Sequence, residues 1–183
     1  RCLKGLSGFM SRNKEDITMS KRARQYIGIL AAVVVYYLVH EGAHLLYALF
    51  AGVFKQINFM GIGVQIDVYA GRMSEAQLGA FCLAGAVATF CGGYALVALA
   101  GKICCAKSKL LRATLYYITI AFLLLDSLYL SILCGFFGGG DMNGIALLCP
   151  EWAARCLFSV LLIANTLVFW KRVLPVYKKS FAE

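Results

Sequence analysis

His40, Glu41 and His44 are the residues of this sequence whose types and spacing most directly imply chemistry. They read H-E-G-A-H, and His40 and His44 are the only histidines among the 183 residues. On a helix, a separation of four residues puts both imidazoles on one face, one turn apart, where they can share a metal ion. Glu41 is then placed to take a proton from water activated by that ion, which is the arrangement for hydrolysing a peptide bond with Zn2+. The alternative is that these are polar groups packed between helices. Against it stands the cost of ionisable side chains within an apolar span, about 2.5–3.5 kcal/mol for a central charge.

Catalytic zinc keeps three protein ligands and one open position, so a third ligand is required. Outside the motif and the terminal segments, the carboxylates are Asp67, Glu75, Asp126, Asp141 and Glu151. Asp141 is the expected ligand, because Gly138, Gly139 and Gly140 precede it and can interrupt a helix and turn the carboxylate inward. Its other reading is a loop aspartate capping the next helix. Asp126 is the runner-up, with a competing role as acceptor for a serine, threonine or tyrosine of a neighbouring helix. Asp67 and Glu75 read as surface or rim charges. Asn143, or a backbone amide of the glycine run, could stabilise an oxyanion.

The elements that position these groups are membrane spans. Hydrophobic residues make up 61% of the chain, mean hydropathy is +0.76 and prolines number only two, more apolar surface than one soluble core of this size can bury. Four stretches, roughly 25–53, 76–100, 113–137 and 153–174, reach the ~20 apolar residues a helix needs to cross a bilayer. Between the first two, Ile62, Val64, Ile66 and Val68 alternate with Gly63, Gln65 and Asp67, a strand period in a segment where Gly61 and Gly63 permit a bend. The expected fold is an all-α polytopic membrane protein with about four transmembrane helices and a short membrane-associated β-hairpin after the first. Residues 1–24 form a basic N-terminal segment, 25–174 a single membrane-embedded domain and 175–183 a tail. Met19 could open the native chain, which would make residues 1–18 an upstream or foreign extension.

Charge sets the expected orientation. Of 18 basic residues only Lys55, Arg72 and Arg155 fall on the side opposite the N-terminus, so both termini are predicted to be cytosolic. From a start near residue 25, His40 and His44 lie about 22–28 Å along the first helix, in the outer half. The net charge of +9 is accounted for by basic flanks facing anionic lipid, and no nucleic-acid partner is expected. The eight cysteines lie mostly in or beside apolar runs without zinc-finger spacing, and read as free packing thiols.

HEGAHLLYALFAGV resembles the HExxH helix of the site-2 proteases, intramembrane zinc metalloproteases of the M50 class, including the small residues Ala48 and Gly52 after the second histidine. FMGIGVQIDV is similar to that family's membrane-embedded hairpin, and Asp141 with the following MNG occupies the place of the aspartate in its LDG motif. The resemblance covers roughly residues 30–70 and 136–145. The chain departs from it upstream of Asp141, where LCGFFGGG replaces the usual asparagine and prolines, and in a charge bias that puts the site in the outer half of the membrane. The resemblance implies an endopeptidase acting on a membrane-anchored or extended peptide substrate. The competing expectation is a membrane metal-binding protein without proteolysis, or an inactive protease that binds a partner, and Glu41 argues against both because pure binding needs no base.

Overall fold

The computed structural model describes residues 19–60 and 63–182. Residues 1–18 and the bend expected at Gly61 lie outside the described residues.

Among the described residues, four long apolar helices make up the bundle. Helix α1 (Lys21–Phe50) starts at Ser20, whose side chain accepts from the Ala23 amide at 3.1 Å. Helix α2 (Glu75–Cys104) opens with a capping box, the Gln77 amide donating to Ser74 Oγ and the Ser74 amide to Gln77 Oε1, which satisfies two otherwise orphaned backbone donors. Ser108 caps α3 (Lys109–Ser131) in the same way, through the Leu111 amide. At 1.5 Å per residue, the 30 residues of α1 or α2 extend about 45 Å, beyond the ~30 Å hydrocarbon core. Side chains such as Leu30, Leu38, Val160 and Ile163 are more than 60% exposed. An apolar surface of this extent suits lipid, not water.

Between α1 and α2 lie β1 (Phe54–Met60) and β2 (Gly63–Val68), antiparallel with Ile57 opposite Ile66 and Phe59 opposite Val64. This is the hairpin expected from the alternation, and Ile66 is its buried residue. Lys55 Nζ sits 2.9 Å from Asp67 Oδ2 across the pair. That contact holds the Asp67 carboxyl below its usual pKa and lifts that of Lys55.

Helix α3 is the centre of the bundle. Half of its most apolar window is buried, against 17–28% for the other three spans. Small residues permit the close approaches: a Cβ on Gly28 would stand 3.3 Å from the Ala113 carbonyl oxygen, the kind of contact that drives helix association in lipid. Polar side chains add hydrogen bonds, with Asn165 donating to the Leu123 carbonyl at 2.8 Å and accepting from Tyr94 at 2.6 Å.

After α3 the chain does not continue straight to 137. It passes through a 3₁₀ turn (Leu133–Phe136) and three glycines into the five-residue helix α4 (Asp141–Ile145). Helix α5 (Glu151–Val168) then runs through a π-turn (Phe169–Val173) into α6 (Leu174–Ala182), one rod extending beyond the exit expected near 174. The π-turn ends two residues before Pro175, whose ring and missing N–H disrupt the helical ladder. The end of α6 packs on the bundle: Tyr177 is fully buried and Arg112 Nη1 donates to the Ser180 carbonyl at 2.9 Å. All seven cysteines among the described residues are free.

Candidate metal centre

His40 and His44 project from the same face of α1 toward α2 and α4, and both are buried. Two carboxylates from distant parts of the chain meet them there. Asp141 Oδ2 is 3.1 Å from His40 Nε2 and 3.5 Å from His44 Nε2, and the two Nε2 atoms are 3.2 Å apart. A tetrahedral ion with bonds of about 2.0–2.1 Å holds its donors about 3.3–3.4 Å apart. The triangle formed by His40, His44 and Asp141 therefore has the dimensions of one face of such a site. It can hold a metal ion.

The far side of the His44 ring fixes which of its nitrogens faces inward. His44 Nδ1 lies 2.8 Å from the Phe81 carbonyl oxygen, which can only accept, so Nδ1 carries the proton and Nε2 presents its lone pair. His40 Nδ1 is 3.2 Å from Asp126 Oδ1. The two are within ion-pair distance, and Nδ1 is buried without a hydrogen bond. Asp126 itself is 1% exposed and accepts from Tyr36 at 2.5 Å and from Thr89, hydrogen bonds from neighbouring helices of the kind considered for it in the sequence. Tyr36 also stacks on His40, with ring centroids 5.4 Å apart.

Helix α2 makes room for the rings at Gly85, where a Cβ would lie 2.6 Å from His40 Nε2 and 2.7 Å from His44 Nε2. The glycine run turns the chain so that Asp141 arrives from the opposite side. Gly139 and Gly140 have φ of +87° and +49°, conformations that side-chain-bearing residues rarely adopt. Behind Asp141, Gly144 packs so tightly on α2 that a Cβ there would meet Cys82 Sγ at 2.3 Å.

Glu41 lines the same cavity, of about 760 Å³, together with Gln65, Ile66, Tyr129, Phe137 and Asn143. Gln65 and Ile66 line the cavity together with Glu41, so strand β2 borders the site. Asn143 is exposed to the cavity and its Nδ2 donates to the Gly138 carbonyl at 3.1 Å. One of its two amide protons thus braces the glycine run, leaving the other for a ligand. Asp67 and Glu75 are placed elsewhere, on the hairpin and at the start of α2. Phe81, Gly85 and Thr89 were not legible as site residues: a backbone carbonyl, a glycine and a threonine within an apolar run carry no chemical signature of their own. No family model, curated protein or solved structure matches the chain.

Proposed function

We propose that this protein is an intramembrane zinc-dependent endopeptidase whose ligands are His40, His44 and Asp141 and whose general base is Glu41. The observation that carries this reading is the donor triangle with edges of 3.1, 3.2 and 3.5 Å, set beside Glu41 in a cavity of about 760 Å³ between membrane-spanning helices. Two imidazoles and a carboxylate form a donor set suited to zinc, and the side toward the cavity is left for substrate. Zinc bound there supplies Lewis-acid activation of water and of the scissile carbonyl.

The chain's own residues supply the rest. Glu41 accepts the proton of the attacking water and passes it to the leaving amine. Phe81 and Asp126 orient the imidazoles from behind. The free proton of Asn143 Nδ2, or a backbone amide of the glycine run, faces the oxygen on which negative charge develops. A helical substrate hides its carbonyls in hydrogen bonds, so the scissile segment must be extended, and β2 offers a strand next to Glu41 on which it can pair. The charge bias supports cytosolic termini and a site in the outer half of the membrane.

Glu41→Gln tests the reading, since the amide keeps the shape but cannot take the proton. The purified variant should retain about one zinc per chain by elemental analysis and lose cleavage of single-span substrates by at least about 100-fold. A chelator should abolish the wild-type reaction. Undiminished cleavage by the variant would remove the assignment, and a zinc-loaded wild type that cleaves nothing in a broad substrate panel would favour a metal-binding protein without proteolysis.

A further inference from the structure

At the end of the bundle away from the metal centre, where α1 and α3 begin and α6 ends, two adjoining cavities differ in character. The smaller, about 140 Å³, is lined by Lys21, Arg24, Lys109 and Arg112. The larger, about 430 Å³, shares Lys21, Gln25, Tyr117 and Phe181 with it and is walled by Tyr116, Tyr177 and Leu174, with Lys178 at its edge. Among the described residues, no carboxylate lines either cavity. The acidic residues among those described are Glu41, Asp67, Glu75, Asp126, Asp141 and Glu151, and none of the ion pairs they make involves these five cations.

Among the described residues no carboxylate pairs with these five cations, which repel one another, and an anion that joins them relieves that repulsion. Arg112 makes the point most sharply. It is 7% exposed, its Nη1 is committed to Ser180 and to the Cys104 carbonyl, and its Nε has no partner. The N-termini of α1 and α3 border the same place and add their partial positive charge. The neighbouring cavity says what kind of anion fits. A free phosphate would use only the basic recess, whereas an amphiphile would also fill the aromatic one, and this end of the bundle lies where spans leave the hydrocarbon.

We propose that these joined cavities form a binding site for an anionic phospholipid, the phosphate among Lys21, Arg24, Lys109 and Arg112 and the glycerol and upper acyl chain against Tyr116, Tyr177 and Phe181. Basic recesses between transmembrane helices recognise such headgroups by charge and shape. The site is independent of the metal centre and would be present in a protein without protease activity.

The test uses the full chain, delipidated in detergent and titrated with dioleoyl phosphatidylglycerol or dioleoyl phosphatidylcholine, with bound lipid counted by native mass spectrometry. Wild-type protein should retain one phosphatidylglycerol about tenfold or more tightly than phosphatidylcholine. Because Arg112 also ties α3 to α6, the variant is Lys21→Ala with Lys109→Ala, both exposed positions, and it should lose that preference by about tenfold. Lys171→Ala with Arg172→Ala removes as much charge from exposed positions outside both cavities and should leave the preference unchanged. Equal losses in the two double variants would reduce the effect to diffuse attraction and overturn the site. So would the absence of any lipid preference in the wild type. Displacement of the lipid by millimolar inorganic phosphate or glycerol phosphate would assign the recess to a soluble phosphate and overturn the phospholipid.

Discussion

Asp126 takes hydrogen bonds from Tyr36 and Thr89 and stands 3.2 Å from His40 Nδ1, whereas Asp141 meets the Nε2 atoms of both histidines. The same side chain is thereby set to two tasks, one orienting a ligand and the other being one. Asp141→Asn should drop bound zinc from about one per chain to near zero after dialysis, because a neutral amide oxygen is a poor partner for a dication. Asp126→Asn should still bind one zinc at saturation, with affinity about 10–100-fold weaker in competition with a chromogenic chelator. An Asp141→Asn protein that kept its zinc would reverse the two roles. Gly85 offers a third test, since a Cβ there would come within 2.6 Å of His40 Nε2 and must push the imidazoles out of register. Gly85→Ala should lower zinc content steeply. Gly42→Ala, with nothing within 4 Å of its added methyl, should not, and comparable zinc in the two would show that the close approach at Gly85 is harmless.

The glycine run and α4 bring Asp141 to α1 from 101 residues away in sequence, so the site depends on a turn as much as on its ligands. At Gly140 the backbone has φ +49° and a Cβ would strike Tyr129 Oη at 2.3 Å. Gly140→Ala should therefore cost about 1–3 kcal/mol of local strain and lose most of the zinc while the helical circular dichroism stays that of the wild type. A variant with full zinc would show that the turn tolerates a side chain. Much of this was legible beforehand. The four spans announce themselves as long apolar runs, the hairpin as a period of two, and the three glycines as an interruption that had to aim something. What was not legible lies in contacts between distant segments. LPVYKKSFA, with its proline and two lysines, reads as a tail, yet Tyr177 is fully buried and Ser180 holds Arg112 from 68 residues away. The support from Phe81, Gly85 and Thr89 was hidden for the same reason, since the register of α2 against α1 is fixed by packing and leaves no trace in local composition.

The molecule as a whole is polarised along its spans, and the polarity bears on where substrate is cut. One end carries Lys21, Arg24, Lys109, Arg112 and Lys178 around joined recesses; the other carries the hairpin, α4 and exposed aromatic side chains including Phe59, Phe136 and Trp152. Basic segments are retained in the cytosol and aromatic side chains favour the interface, so the basic end should face inward. His40 is the twentieth residue of α1, about 29 Å from its start, which then places the metal centre in the outer half and predicts cleavage near the outer end of a substrate span. Reporter fusions in a bacterial host test the orientation. Green fluorescent protein after Ala182 should fluoresce, because it matures in the cytosol, and alkaline phosphatase after Arg72 should be active, because it folds only outside. The reciprocal pair should both be silent. If phosphatase is active at the C-terminus and inactive after Arg72, the bundle is inverted, the cavity of Glu41 opens toward the inner half, and the substrates to seek are those whose spans end at the cytosolic face.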